Sequence, residues 1–341
     1  MNVRRVGELG LIRRIREAVG GAEEPGVIIG IGDDAAVLAL GPGAALLATT
    51  DLLVEELHFR RASASPRDIG WKAVAVNLSD IAAMGGRPRW ALVGLAIPAS
   101  TEVDEVEAFY EGMREAAASH NVAIVGGDTS ESPRGWFVSV TLLGEHTGTP
   151  RLRSAARPGD VVAITGTVGR SAAGLAVLES GVERVRAAGI DVEAVEELRR
   201  AHLRPTARVA EGRWLGEAAG VHAMMDCSDG IATDLGHMCR ESGVGARVRI
   251  DRLPVAEAAR EAARTLGRDP IEWAAAGGED YELLLTCDPA SAGALAAGLR
   301  AATGTAFTVI GEIDGSATGI IWVEPDGRPA EIRPGYEHFS G

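Results

Sequence analysis

Apolar residues recur along this chain in two rhythms: short continuous or alternating runs, and longer stretches spaced by three and four. The first is the mark of strands and the second of helices packed on one side. In the N-terminal half, residues 27–31, 45–49, 91–97, 123–125 and 136–143 read as strands, and 9–19, 66–84 and 102–120 as helices. Ser65 stands where it can cap the helix beginning at Pro66, and Gly85-Gly86 ends it. Residues 145–160, rich in Gly, Pro, Thr and Arg, read as a connector. Beyond it, 161–165, 223–225, 246–250, 283–287 and 307–313 read as strands, and 171–179, 231–242, 255–266 and 289–302 as helices. The charged run 182–200 reads as a solvated helical insertion. Strands interleaved with helices, several in antiparallel-compatible runs, predict an α/β (or α+β) protein of two domains, residues 1–148 and 149–341.

Composition narrows the function classes. A chain of 341 residues exceeds one ordinary core. A formal charge of −14 argues against a nucleic-acid or anionic-membrane surface. Of 34 basic residues only Lys72 is lysine. Cys227, Cys239 and Cys287 have neither CxxC spacing nor an even count, so a disulfide framework or zinc site is not expected. Residues 1–16 are charged throughout and lack an apolar signal core, and no apolar run reaches membrane-spanning length. The expectation is a cytoplasmic protein.

The acidic residues carry the chemical signal. They fall in Gly32-Asp33-Asp34, Thr49-Thr50-Asp51, Asn77-Leu78-Ser79-Asp80, Gly126-Gly127-Asp128-Thr129 and Asp226-Cys227-Ser228-Asp229-Gly230. Each has an ordinary reading: a capped turn at Asp33, a polar strand terminus at Asp51, a plain turn at Asp128, a helix N-cap at Asp229. Asn77 and Asp80 resist it, because they share a face of an otherwise apolar helix and are costly to bury alone. Carboxylates brought together cannot all stay ionised without cations. Hard divalent ions, which take oxygen ligands and bridge to phosphates, resolve that conflict. The expectation is a magnesium-dependent enzyme acting on phosphates. The loop Gly277-Gly278-Glu279-Asp280-Tyr281-Glu282 suits a cleft lining, whereas His58 and Tyr110 (beside Phe109) read first as ordinary packing residues.

Common phosphate-binding designs are absent. The single lysine lies in Trp71-Lys72-Ala73-Val74, which excludes a P-loop. The protein-kinase motifs and a convincing dinucleotide fingerprint are missing as well.

Taken in order, GDDAA, TTDxLVxxxHF, NLSDIAAMG, GGDT, RSxAxxGD, DxSDG and GGEDYEL resemble the thiamine-monophosphate kinase family, within the aminoimidazole ribonucleotide synthetase superfamily. The resemblance implies ATP-dependent phosphorylation of thiamine monophosphate to thiamine diphosphate. It implies magnesium ligands at Asp33, Thr49, Thr50, Asp51, Asp80, Asp128, Asp226 and Asp229. It implies ATP contacts at Tyr110, Gly127, Asp128, Arg153 and Ser228, with Arg153 a candidate stabiliser of the transition state. His58, Glu279 and Tyr336 would meet the thiamine phosphate, with Phe339 an alternative to Tyr336. It further implies a homodimer joined through the N-terminal sheet and an active site between the domains. Leu52 and Glu56 depart from the family, which has threonine or methionine at the first position and glycine at the second. Other superfamily activities fit less well: selenophosphate synthesis calls for an N-terminal cysteine, and hydrogenase maturation for a C-terminal one. An aminoimidazole ribonucleotide synthetase, or a non-catalytic nucleotide- or cation-binding relative, is the remaining alternative.

Overall fold

The computed structural model describes residues 26–29, 37–315 and 319–336, with Arg14, Ile15, Glu17 and Ala18. Its contacts divide the chain into two compact units: the described residues up to 81 with 86–149, and 82–85 with those from 150 onward.

The first unit begins with a short antiparallel pair, β1 (Val27–Ile29) and β2 (Val37–Leu38). Its main sheet has four strands: β3 (Ala45–Val54), β4 (Arg87–Ile97), β5 (Ala123–Glu131) and β6 (Phe137–His146). They are ordered β3-β6-β4-β5, with β4 and β5 parallel and the other pairs antiparallel. Strand alternation puts Leu47 and Leu53 inside, while Leu46 and Leu52 on the other face are 51% and 56% exposed. Helix α2 (Val103–Ala118) belongs to this unit, as does α1 (Pro66–Ala83) except for its last two residues. Ser65 and Asp68 form a reciprocal cap: the Asp68 N–H donates to Ser65 Oγ at 3.2 Å, and Ser65 Oγ–H to Asp68 Oδ2 at 2.7 Å. Helix α1 is buried almost all round, from Ala73 and Val74 to Ile81 and Ala82, so its sequence shows little one-sidedness.

Two expected strands are longer than the apolar pattern suggests. Thr49-Thr50-Asp51 lies in the middle of β3, not at its end, because β6 pairs with β3 continuously from Ala45↔His146 to Val54↔Phe137. Gly126–Thr129 likewise lies within β5, which stays paired to β4 as far as Ile97↔Glu131. Polar residues on a half-exposed sheet face break an apolar run without breaking the ladder.

The second unit is built on a six-stranded sheet. Its strands are β7 (Val161–Thr165), β8 (Val221–Cys227), β9 (Gly245–Arg249), β10 (Glu282–Cys287), β11 (Phe307–Asp314) and β12 (Gly319–Val323). The order is β12-β9-β11-β7-β10-β8, antiparallel except for the β12–β9 pair. Every residue of β10 is buried. The helices are α3 (Arg170–Ser180), α4 (Val182–Ala187), α5 (Val192–Leu203), α6 (Val209–Glu217), α7 (Ile231–Ser242), α8 (Glu257–Leu266), α9 (Pro270–Ala276) and α10 (Pro289–Thr303). The run 182–200 is therefore no solvated insertion. Val185, Ile190, Ala194, Val195 and Leu198 enter the same core as β7 and β8, beneath a charged outer face.

Candidate functional site

In the first unit, the structure brings Thr49, Asp51 and Asp80 together. The Thr49 hydroxyl donates to Asp80 Oδ2 from the inward face of β3 to α1. Burial, with Asp80 beside it, pushes the Asp51 carboxyl up to about 7. Two carboxylates and a hydroxyl form an all-oxygen donor set whose electrostatic strain a hard dication would relieve. Thr50 points to the other face, where it accepts from the Thr141 hydroxyl at 3.2 Å. Asn77 is fully buried: its Nδ2 donates to the Ala73 carbonyl at 3.0 Å, and its Oδ1 has no hydrogen-bond partner.

Across the sheet, Asp128 pairs with Gly94 on β4, and its strand is separated from β3 by β6 and β4. That spacing sets it about 14 Å from the Asp51 backbone, at roughly 4.8 Å per strand. Asp128 is exposed. Gly127 has a reason within the fold: a Cβ there would lie 2.0 Å from the Val93 carbonyl oxygen. Tyr110 is 3% exposed and stands edge-on to Phe109, with ring centroids 5.2 Å apart. The structure thus places it in the packing of the first unit.

The turn 54–59 holds His58. The Val54 N–H donates to His58 Nδ1 at 3.0 Å, and the Glu56 N–H to the Phe59 carbonyl at 2.8 Å. Lys72, itself 3% exposed, donates to the His58 carbonyl at 3.4 Å. Glu56 has φ of 69°, the left-handed conformation that glycine takes freely, so the turn keeps a glycine's shape with a glutamate in it.

In the second unit three segments meet. The loop 226–230 leaves β8, the loop 277–281 enters β10 and bonds to the first, and residues 335–336 lie against the first as well. The N–H groups of Glu279 and Tyr281 donate to the carbonyls of Ser228 and Cys227 at 2.7 and 2.9 Å. The Tyr336 N–H donates to the Asp229 carbonyl at 3.0 Å, and a Cβ on Gly335 would fall 2.1 Å from that same oxygen. Asp226 is 5% exposed, opposite Leu283 on β10. Asp229 is not the N-cap of α7; Gly230 is, with φ of 101°. The Asp229 N–H donates to Asp234 Oδ2 at 3.1 Å. Burial and the nearby Asp229 push Asp234 up to about 7.

Sequence reasoning missed the supports of this juncture. Asp280 is buried and pushed up to about 7 by that burial, though it accepts from the N–H groups of Gly169 and Ser171 at 2.5 and 3.0 Å. It closes the start of α3, where backbone donors have no helical partner. Glu282, fully buried, accepts from Arg208 at 2.6 and 2.7 Å, from Arg170 at 3.2 Å and from the Thr165 hydroxyl at 2.7 Å. His202 Nδ1 lies 3.2 Å from Glu279 Oε2. A histidine continuing the stripe of Val195 and Leu198 was the available signal for that last contact.

Arg153 lies in a short 3₁₀ turn, about half exposed and 4.0 Å from Glu241. Asp33 and Phe339 fall outside the described residues. Among the described residues no three His, Cys, Asp or Glu side chains gather closely enough to hold a metal ion, and no helix is long and apolar enough to cross a membrane. All three cysteines are buried free thiols. Burial raises Cys227 well above the usual thiol range and lifts Cys239 and Cys287 to about 11.

Residues 32–146 match the family model of the AIR synthase related protein N-terminal domain, and 157–324 that of the C-terminal domain. The thiamine-monophosphate kinase of Salmonella typhimurium is 39% identical over 341 residues, 98% of each chain. That of Mycobacterium tuberculosis is 41% identical over 289 residues, covering 83% of this chain and 81% of its own. The crystal structure of thiamine-monophosphate kinase from Stenotrophomonas maltophilia K279a superposes with a TM-score of 0.81 at 38% identity, over 94% of this chain and 96% of that one. AaThiL complexed with AMPPCP and TMP superposes at 0.74 with 33% identity, over 99% of both chains.

Proposed function

Since the chain belongs to the thiamine-monophosphate kinase family, we infer that it transfers the γ-phosphoryl group of ATP to thiamine monophosphate, giving thiamine diphosphate and ADP. An oxygen of the acceptor phosphate bonds to the γ-phosphorus as the bond to the β,γ-bridging oxygen breaks. The acceptor is already ionised near neutrality, with a second pKa of about 6, so no strong general base is needed. Positioning and charge neutralisation are left as the protein's tasks. The observation that carries the reading at the level of residues is the juncture of 226–230, 277–281 and 335–336, which joins motifs far apart in sequence.

The donor set fits magnesium. Asp33, Thr49, Thr50, Asp51, Asp80, Asp128, Asp226 and Asp229 would hold it, and when bound it would neutralise phosphate charge in the transition state. Its best support is the Thr49–Asp51–Asp80 group, oxygen-only and strained without a cation. Tyr110, Gly127, Asp128, Arg153 and Ser228 are assigned to ATP. His58, Glu279 and Tyr336 are assigned to thiamine monophosphate. Tyr336, 44% exposed and anchored by its N–H to the Asp229 loop, suits a contact to an entering ligand. Glu279 offers an anion to the substrate's cationic thiazolium ring. A cytoplasmic location suits three buried free thiols and an ATP substrate.

The purified protein with ATP, magnesium and thiamine monophosphate should yield thiamine diphosphate and ADP in equal amounts, and EDTA should stop it. Absence of product across several divalent cations would reject the reading.

We also propose that the protein is a homodimer joined through the first unit's sheet. Leu46, Leu52 and Phe137 lie exposed on one face of it, and among the described residues the ten-residue β3 is an edge strand. The protein should sediment at the mass of two chains, and Leu52→Glu should move it toward one. A wild-type monomer at micromolar concentration would end this assignment.

A further inference from the structure

We infer that His202 is a positioning residue for Glu279, holding that carboxylate toward the thiamine phosphate; this rests on the reading of Glu279 as a substrate contact. Helix α5 turns Ala194, Val195 and Leu198 into the core, and His202 continues that stripe into the last turn. Its Nδ1 is 3.2 Å from Glu279 Oε2 and 3.0 Å from Ser171 Oγ. The histidine side chain is 9% exposed and the glutamate 28%, so a buried group holds one that reaches solvent.

The grouping of Ser171, His202 and Glu279 invites comparison with a nucleophile–base–acid relay, and the geometry rejects it. A relay needs the two ring nitrogens to face different partners. Here one nitrogen faces both, and Ser171 is 1% exposed with its N–H given to Asp280. What remains is orientation. Glu279 and Tyr281 have φ of 66° and 51°, left-handed values that cost a residue with a Cβ. Backbone bonds to Ser228 and Cys227 hold that shape. They leave the long Glu279 side chain its own torsional freedom, which binding would otherwise have to remove. The contact from His202 restricts it beforehand.

The test uses the two amide stand-ins for histidine in the full-length enzyme. In His202→Asn the amide nitrogen falls near the place of Nδ1; in His202→Gln it falls near that of Nε2, with volume better preserved. Positioning through Nδ1 predicts that His202→Gln raises KM for thiamine monophosphate about tenfold, with kcat and the KM for ATP within about twofold. His202→Asn should stay within about threefold of wild type on all three. Glu279→Gln should raise the same KM, and adding His202→Gln to it should make it no worse. A packing role predicts the reverse order, Asn worse than Gln, and that result, or additive effects in the double variant, overturns the inference. Glu279→Gln with an unchanged KM would instead remove the substrate contact on which it rests. Thermal melts guard against misfolding: a lowered melting temperature with a normal KM in His202→Asn still separates hydrogen bonding from packing.

Discussion

Asp80→Asn and Asp51→Asn should each lower turnover by about three orders of magnitude or more, which corresponds to roughly 4 kcal/mol of lost transition-state stabilisation. Neither should lower the stability of the fold. In the metal-free protein Asp51 and Asp80 oppose one another in a half-buried setting, and an amide relieves that opposition. The sign with pH follows from the same pair. Folding raises the Asp51 carboxyl from 3.8 to about 7, so between those values the folded state binds the extra proton. Stability of the metal-free protein should therefore fall as pH rises from 4 toward 7, and Asp51→Asn should flatten that fall. Activity assays beside metal-free melts over this range check both halves. Near-wild-type turnover in either variant would remove these carboxylates from the reaction.

Arg208→Met should be the most damaging substitution for folding. Glu282 has no exposed surface, and Arg208, at the N-cap of α6, meets both of its carboxylate oxygens. Removing that guanidinium leaves a buried charge with Arg170 and two threonine donors. The expected loss is about 3–5 kcal/mol. For a unit of this size that lowers the melting temperature by about 6–20 °C. Adding Glu282→Gln should recover part of it, since the stranded charge goes with it. A shift of less than about 2 °C in the single variant would show that the cluster is solvated after all.

The loops 226–230 and 277–281 were legible in the sequence because glycine and aspartate announce turns by their own backbone chemistry. The meeting of these loops through backbone N–H groups was not, because any residue type supplies such a donor. Thr49 and Asp51 were misplaced at a strand end for a related reason: β3 is held by its neighbour's backbone, and apolar spacing says nothing about that ladder. The stretch 182–200 misled by proportion. Glu183, Arg186, Glu193, Glu196 and Arg199 dominate its composition, while the stripe that decides its burial is narrow. Glu56 shows another limit, since its side chain gives no hint that the backbone there sits at φ of 69°. A partner for Asp80 could be anticipated because a polar pair in an apolar helix has to be answered by something, and the Thr49 hydroxyl donates to it.

The sealed cysteines have a physiological corollary. Oxidants and electrophiles attack thiolates, and Cys227 sits inside the very loop that bears Asp226 and Asp229, yet it is closed off and keeps its proton. Peroxide and glutathione should therefore react slowly with all three thiols while the protein stays folded, and brief peroxide treatment should leave its phosphoryl transfer largely intact.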